Sequence, residues 1–183
     1  RIGVEVCKGK VETRANLPES RNVEELLGYA RIAQEEGVDV IQIYSVDPGH
    51  GMIPSEREQE MFYRSALDAI DYPLSLSVNV HAVNYSTPIG LLKRLCADYP
   101  NVGSINVLQP PTAYLVELME AVGPKIAFFV RWDMLGEALI LGAQGSMSGH
   151  PNVVPYLVRS IGRHFVDGDI EKCRRALRDL FRL

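Results

Sequence analysis

The residues able to do chemistry fall in small groups, each just after an apolar run. Glu5, Cys7 and Lys8 follow the first run, and Tyr44, Asp47 and His50 the second. Asn79, His81 and Asn84 follow the third, and Asn106 and Gln109 the fourth. Arg131, Trp132 and Asp133 follow the fifth, and Ser148 and His150 the last. Arg131 carries a planar fork that can bond both oxygens of a carboxylate. His81 has a side chain that titrates near neutral pH and suits general acid–base work. Asn106 can donate an amide N–H to a carbonyl or developing enolate oxygen. Lys8 is a candidate amine if its loop turns inward, although Lys8 and Lys10 beside Glu12 also read as solvated loop charges. The pattern predicts a site for a small carboxylate. Its catalytic candidates are His81, Asn106 and Lys8; its binding candidates are Arg131, Asp133, Tyr44, Asn79 and Ser148.

A second chemistry is open to the same groups. Asp47, His50, His81, His150 and Asp133 could hold a divalent metal acting as Lewis acid in an aldol cleavage or a hydrolysis. No pair shows HxH or HExxH spacing, so neither a metal nor another cofactor is expected. His50 in "PGHGM" and His150 in "GHP" stand in turn contexts where histidine is ordinary. Arg131 and Asp133 flank Trp132 and could equally pair with each other or cap the next helix.

These groups need a frame. Six short runs read as strands: "IGVEV" (2–6), "VDVIQIY" (38–44), "PLSLSVNV" (73–80), "VGSINV" (102–107), "KIAFFV" (125–130) and "QGSMS" (144–148). Most are near-continuous apolar runs or mix in small residues, as strands buried on both faces do. Helical patterns separate them. Val23, Leu26, Leu27, Ala30 and Ala33 recur at helical spacing and Gly37 stops that helix. Ser55 followed by Glu58 reads as a capping box ahead of a stripe containing Phe62, Ala66, Ala69 and Ile70. Two helices close the chain, and the basic residues of the last, among them Arg174, Arg175 and Arg178, read as a solvated face. The alternation predicts an α/β fold with a parallel sheet and right-handed crossovers. No GxGxxG or GxxxxGK[ST] follows a strand, which weakens an open doubly wound sheet against a (β/α)8 TIM barrel. In a barrel the residues after each strand converge on one face, whichever the family.

Composition bounds the rest. The chain has 183 residues, 46% hydrophobic and 23% charged, a globular profile long enough for one core. A single domain over 1–183 is expected, with a C-terminal helical segment from about 152 to 183. The net charge of −4 gives no reason to expect nucleic acid or an anionic membrane as partner. No apolar run approaches the roughly 18 residues that span a bilayer. Cys7, Cys96 and Cys173 are far apart and without CxxC spacing, which suits reduced thiols and a cytoplasmic location. The chain opens at Arg1 and enters an apolar run at once, so it is expected to be a piece of a longer protein.

Three phrases carry a resemblance. "ARIAQEEGVDVIQIY" is similar to a helix and fourth strand, "DYPNVGSIN" to the lead into a sixth strand, and "ALILGAQGSMSG" to the lead through an eighth strand. In that order they resemble the pyruvate-dependent aldolase family of dihydrodipicolinate synthase and N-acetylneuraminate lyase. The resemblance implies strands 3 to 8 of a (β/α)8 barrel plus C-terminal helices, with two N-terminal units outside this sequence. It also implies lyase or aldolase chemistry on a keto acid and a homo-oligomer, dimer or tetramer.

The resemblance fails at the key position. The family's sixth-strand lysine attacks the ketone of pyruvate to form a Schiff base, and Asn106 stands in its place here. An amide nitrogen is not nucleophilic, because its lone pair is delocalised, and burial cannot rescue it as it can an amine. The family's fifth-strand tyrosine is absent too; Ser77 or Val78 stands there, and Tyr85 is an imperfect substitute. The expectation is a divergent lyase-type enzyme, cleaving a carbon–carbon or carbon–oxygen bond without a lysine imine. The alternatives are an inactive regulatory or assembly subunit, and a metal-dependent lyase or hydrolase using His50, His81 and His150.

Overall fold

A computed structural model describes residues 1–79, 85–108 and 111–183. His81, Asn84 and Gln109 lie outside the described residues, as does the side chain of Asn79. The chain divides into two compact units, Arg1–Ile126 and Ala127–Leu183.

The first unit runs α1 (Ile2–Cys7), β1 (Arg14–Asn16), α2 (Val23–Glu35), β2 (Val40–Tyr44), α3 (Glu56–Ala69), β3 (Leu74–Asn79), α4 (Ile89–Asp98), β4 (Val102–Leu108) and α5 (Thr112–Val122). Its strands pair in parallel and lie in chain order, β1-β2-β3-β4. Sequential order is what successive right-handed crossovers give in a barrel, whereas a doubly wound sheet reverses its order at a switch point. Ser55 closes the expected capping box at α3, accepting from the Glu58 N–H while the Glu58 carboxylate accepts from the Ser55 N–H at 2.7 Å. Gly37 ends the α2 segment at φ 74°, a left-handed conformation open to glycine at no steric cost.

The first expected strand is corrected. "IGVEV" forms the helix α1, and the strand is the three-residue "RAN" that follows. A short apolar run does not distinguish helix from strand by period. Here Arg1 and Glu5 pair at i,i+4 along the helix, and no residue of α1 is buried. The strand itself holds too few apolar residues to show a pattern.

Alternation along the strands gives the sheet two unlike faces. One carries Ile41, Ile43, Leu74, Leu76, Val78, Ile105 and Val107, all buried. Helices cover it: α2 packs on β2 through Leu26, Ala30 and Ala33, and α4 on β4 through Leu91, Leu92 and Leu95. The other face carries Gln42, Ser75, Ser77, Ser104 and Asn106, also buried. The register holds these polar residues in rows: Gln42 beside Ser75 beside Ser104, and Tyr44 beside Ser77 beside Asn106. An irregularity between Leu74 and Ser75 absorbs Gly103 and restores that alignment.

The second unit contains β5 (Ala127–Val130), α6 (Leu135–Ile140), β6 (Gly145–Ser146), α7 (Pro155–Val166) and α8 (Ile170–Leu180), with short 3-10 turns at Trp132–Met134 and His150–Asn152. β5 and β6 pair in parallel. Its core joins Leu135, Leu139, Ile161, Cys173, Ala176 and Leu180, with Trp132 packed against it. Gly136 lets α6 approach α8 closely, since a Cβ there would lie 2.6 Å from Leu177 Cδ1.

Candidate functional site

The upper polar row of the first unit lies near the C-terminal ends of β2, β3 and β4. Asn106 is 2% exposed and is held by β4 directly beside Ser77 of β3, which in turn lies beside Tyr44 of β2. The register thus puts Ser77, not Val78, next to Asn106; Val78 faces the helices. Asn106 Oδ1 and Ser77 Oγ are buried without a hydrogen-bond partner. The protein therefore keeps an amide oxygen and a hydroxyl side by side, desolvated and unspent. An unmet buried polar group costs about 1–3 kcal/mol.

Below this row lie Gln42, Ser75 and Ser104. Arg14 of β1 reaches Ser104 Oγ with Nη1 at 2.9 Å, while its Nε pairs with Glu12 at 2.6 Å. Both amide atoms of Gln42 and the hydroxyl of Ser75 are buried without a partner. Sequence reasoning missed this row. Its signal was Gln42 set between two isoleucines in "VIQIY" and the serines at alternate positions of "LSLSVN", which were read as part of near-continuous buried runs.

A hydroxyl cluster braces the loops after β2 and β3. Tyr85 donates its O–H to the Val46 carbonyl. Tyr114 donates to the Thr87 carbonyl at 2.8 Å, and Tyr63 lies 3.5 Å from Thr87 Oγ1. Burial pushes the Tyr63, Tyr85 and Tyr114 phenols up, so they stay protonated at neutral pH. Tyr85 is thereby engaged with backbone rather than placed as a proton shuttle. Asp47 accepts from the Gly49 N–H at 2.9 Å, and His50 stands exposed in the same turn at φ 53°.

Lys8 is not where the sequence reading put it. It caps the C-terminus of α1, exposed, ahead of β1 instead of behind a strand. With Lys10, Glu12, Thr13 and Asp39 it lines a cavity of about 610 Å³ at the ends where β1 and β2 begin. In a barrel that face serves stability. There Asp39 accepts from the Thr13 N–H at 2.7 Å and its hydroxyl at 2.8 Å, bonds that hold the Asp39 carboxyl below its ordinary 3.8. A lowered folded pKa gives stability that is full above the ordinary value and lost as pH falls through the folded one. Asp39→Asn is therefore expected to flatten the stability profile below about pH 4, read by denaturant unfolding at a series of pH values.

In the second unit Arg131 and Asp133 pair with each other: Arg131 Nε donates to Asp133 Oδ1 at 2.8 Å and Nη2 to Oδ2. The fork expected for a ligand carboxylate is thus turned on its neighbour. His150 stacks on Trp132, ring centroids 4.2 Å apart. Ser148 Oγ, like Ser146 Oγ, is buried without a partner. Among the described residues no three of His, Cys, Asp and Glu are grouped to hold a metal ion. No helix among them is long and apolar enough to cross a membrane.

Known proteins with the same architecture supply the context. The chain resembles YagE, a prophage protein of the dihydrodipicolinic acid synthase family from E. coli solved in complex with pyruvate, at TM-score 0.88 and 20% identity over 98% of this chain and 60% of that one. A monomeric dihydrodipicolinate synthase variant superposes at TM-score 0.87 with 18% identity over 97% of this chain. These likenesses establish the fold as a partial (β/α)8 barrel. Among curated sequences, an uncharacterized DapA-like lyase of Pyrobaculum aerophilum is 25% identical over 83% of this chain and 50% of its own length. A 4-hydroxy-tetrahydrodipicolinate synthase of Methanocaldococcus jannaschii is 25% identical over 98% of this chain and 61% of its own length. The chain thus spans about half to three fifths of these relatives. The sequence model of the Dihydrodipicolinate synthetase family matches residues 1–183, from the exposed first helix to the last, and the chain belongs to that family.

Proposed function

We propose that the protein is a carbon–carbon or carbon–oxygen lyase acting on a small keto acid or related carboxylate without a lysine Schiff base. The observation that carries this reading is Asn106: a neutral amide buried on β4 in the lysine's place and aligned with Ser77, whose hydroxyl is unpaired. In place of the covalent electron sink, the Asn106 amide N–H hydrogen-bonds the substrate's ketone oxygen and stabilises the charge that develops there. As the bond to the α-carbon breaks, its electron pair moves into the enolate and the charge settles on that oxygen. Ser77 offers a second hydroxyl donor from the adjacent strand. His81 is assigned the proton transfer, since its pKa range suits that task. Tyr44 and Asn79, on neighbouring strands of the same unit, are assigned to substrate binding.

Borohydride trapping decides the central point. The protein incubated with pyruvate and borohydride is expected to show no reduced adduct by intact-mass analysis, while pyruvate binding remains measurable by calorimetry. A lysine adduct, on Lys8, Lys10 or elsewhere, would overturn the reading. The occupied Arg131 fork favours one competitor, a non-catalytic subunit, and the absence of any keto-acid binding would select it.

A further inference from the structure

The short stretch Tyr85–Thr87 is pinned from three elements at once. Tyr85 and Thr87 are 6% and 2% exposed, deep burial for a stretch outside any helix or strand. Tyr85 donates its O–H to the Val46 carbonyl, two residues past Tyr44 at the end of β2. Tyr114, in the first turn of α5 behind β4, donates to the Thr87 carbonyl at 2.8 Å. From α3, the wholly buried Tyr63 brings its hydroxyl within 3.5 Å of Thr87 Oγ1. Ser45 is buried among the same hydroxyls. The stretch thus ties the exit of β2 to the helix that follows β4, and it leads directly into α4 at Pro88. β2 and β4 are the strands that bear Tyr44 and Asn106, with Ser77 of β3 between them.

Phenylalanine would fill nearly the same space at each position, so burial accounts for the rings and not for the hydroxyls. Those hydroxyls are spent at the strand ends, where connecting segments otherwise carry the least restraint. A donor to a developing oxyanion works only when it is placed in advance, and a shift of about 1 Å can cost about 100-fold in rate. Restraint at the exits of β2–β4 therefore has a chemical use beside a mechanical one. The opposite ends of β2 and β3 provide a contrast. There Tyr72 donates to the Val38 carbonyl, the same kind of bond on the face that serves stability.

We infer that Tyr85 and Tyr114 are positioning residues, whose hydroxyls hold the C-terminal ends of β2–β4 in the arrangement that lets Asn106 and Ser77 meet a substrate oxygen. The inference rests on the proposed lyase site and adds residues that act through it without touching the ligand.

Exchange of the pyruvate methyl protons in D2O, followed across a range of pyruvate concentrations with thermal unfolding alongside, tests it. Tyr85→Phe and Tyr114→Phe are each expected to lower kcat for exchange about tenfold or more, with KM within about twofold of the unaltered protein. Tyr72→Phe loses a bond of the same kind and is expected to leave both constants within about twofold. Slowing by Tyr85→Phe and Tyr114→Phe no greater than that by Tyr72→Phe overturns the inference and leaves the cluster to packing. A loss of rate that tracks the fall in Tm across all three variants overturns it too, since stability alone would then set the rate. A rise in KM to match the fall in kcat places the tyrosines at the ligand and overturns it as well. If Tyr85→Phe does not fold, Tyr114→Phe decides, because it acts on a different carbonyl from a different helix. Exchange that ignores the tyrosines sinks this inference alone, whereas an unaltered protein that exchanges no faster than buffer sinks the proposed function with it.

Discussion

Replacing Asn106 with alanine is expected to slow enolisation of a bound keto acid about 100-fold or more, the usual cost of losing one preorganised donor to a developing oxyanion. Exchange of the pyruvate methyl protons in D2O, followed by proton NMR, reads that step without knowledge of any second substrate. The unaltered protein should exchange them faster than buffer, and Asn106→Ala should fall most of the way back. Asn106→Lys makes the converse case. A lysine at a position only 2% exposed is driven toward its neutral, nucleophilic form by desolvation. That variant should gain a borohydride-trappable pyruvate adduct that the parent lacks. Exchange that is indifferent to Asn106→Ala would remove Asn106 from the chemistry, and a trap-silent lysine variant with normal folding would place residue 106 out of reach of the ketone.

The second large effect concerns stability. Ile105 precedes Asn106 on the same strand, points to the opposite face and has no exposed surface. Ile105→Ala removes three buried carbon atoms on the face covered by α4 and leaves a cavity that the surrounding side chains fill only partly. The expected loss is about 2–5 kcal/mol, measured by denaturant unfolding. For a chain of this size, 3 kcal/mol corresponds to a fall in Tm of roughly 6–12 °C. A loss below about 1 kcal/mol would contradict the two-faced sheet. Adjacent residues of one strand thus separate two roles: Ile105 belongs to the core, and Asn106 faces the proposed site.

That alternation is also where the sequence was legible and where it was not. Helix α3 was readable because Ser55, Glu58 and the stripe through Phe62 and Ala66 agree at every level. The site position Asn106 was reached through "DYPNVGSIN", a phrase with its own turn, strand and spacing. Strand β1 was missed because three residues, Arg14–Asn16, cannot display a period, while the apolar "IGVEV" nearby displayed a false one. The displacement of Lys8 followed directly from that error. The lower polar row escaped for a different reason. Gln42 and Ser75 are flanked by β-branched and leucine residues, and only pairing across strands reveals that their polar side chains share a surface. Ser77 was left level with Val78 until register distinguished them.

Trp132 lies against two rings, His150 and Phe181, whose centroids are 4.2 and 5.1 Å from its own. Trp132 is the sole indole in the sequence, and all three rings belong to the C-terminal unit. Intrinsic fluorescence excited at the red edge therefore reports on that half of the chain. Set beside circular dichroism, which sees every helix, it supplies a two-colour view of denaturation in which the halves can be timed separately.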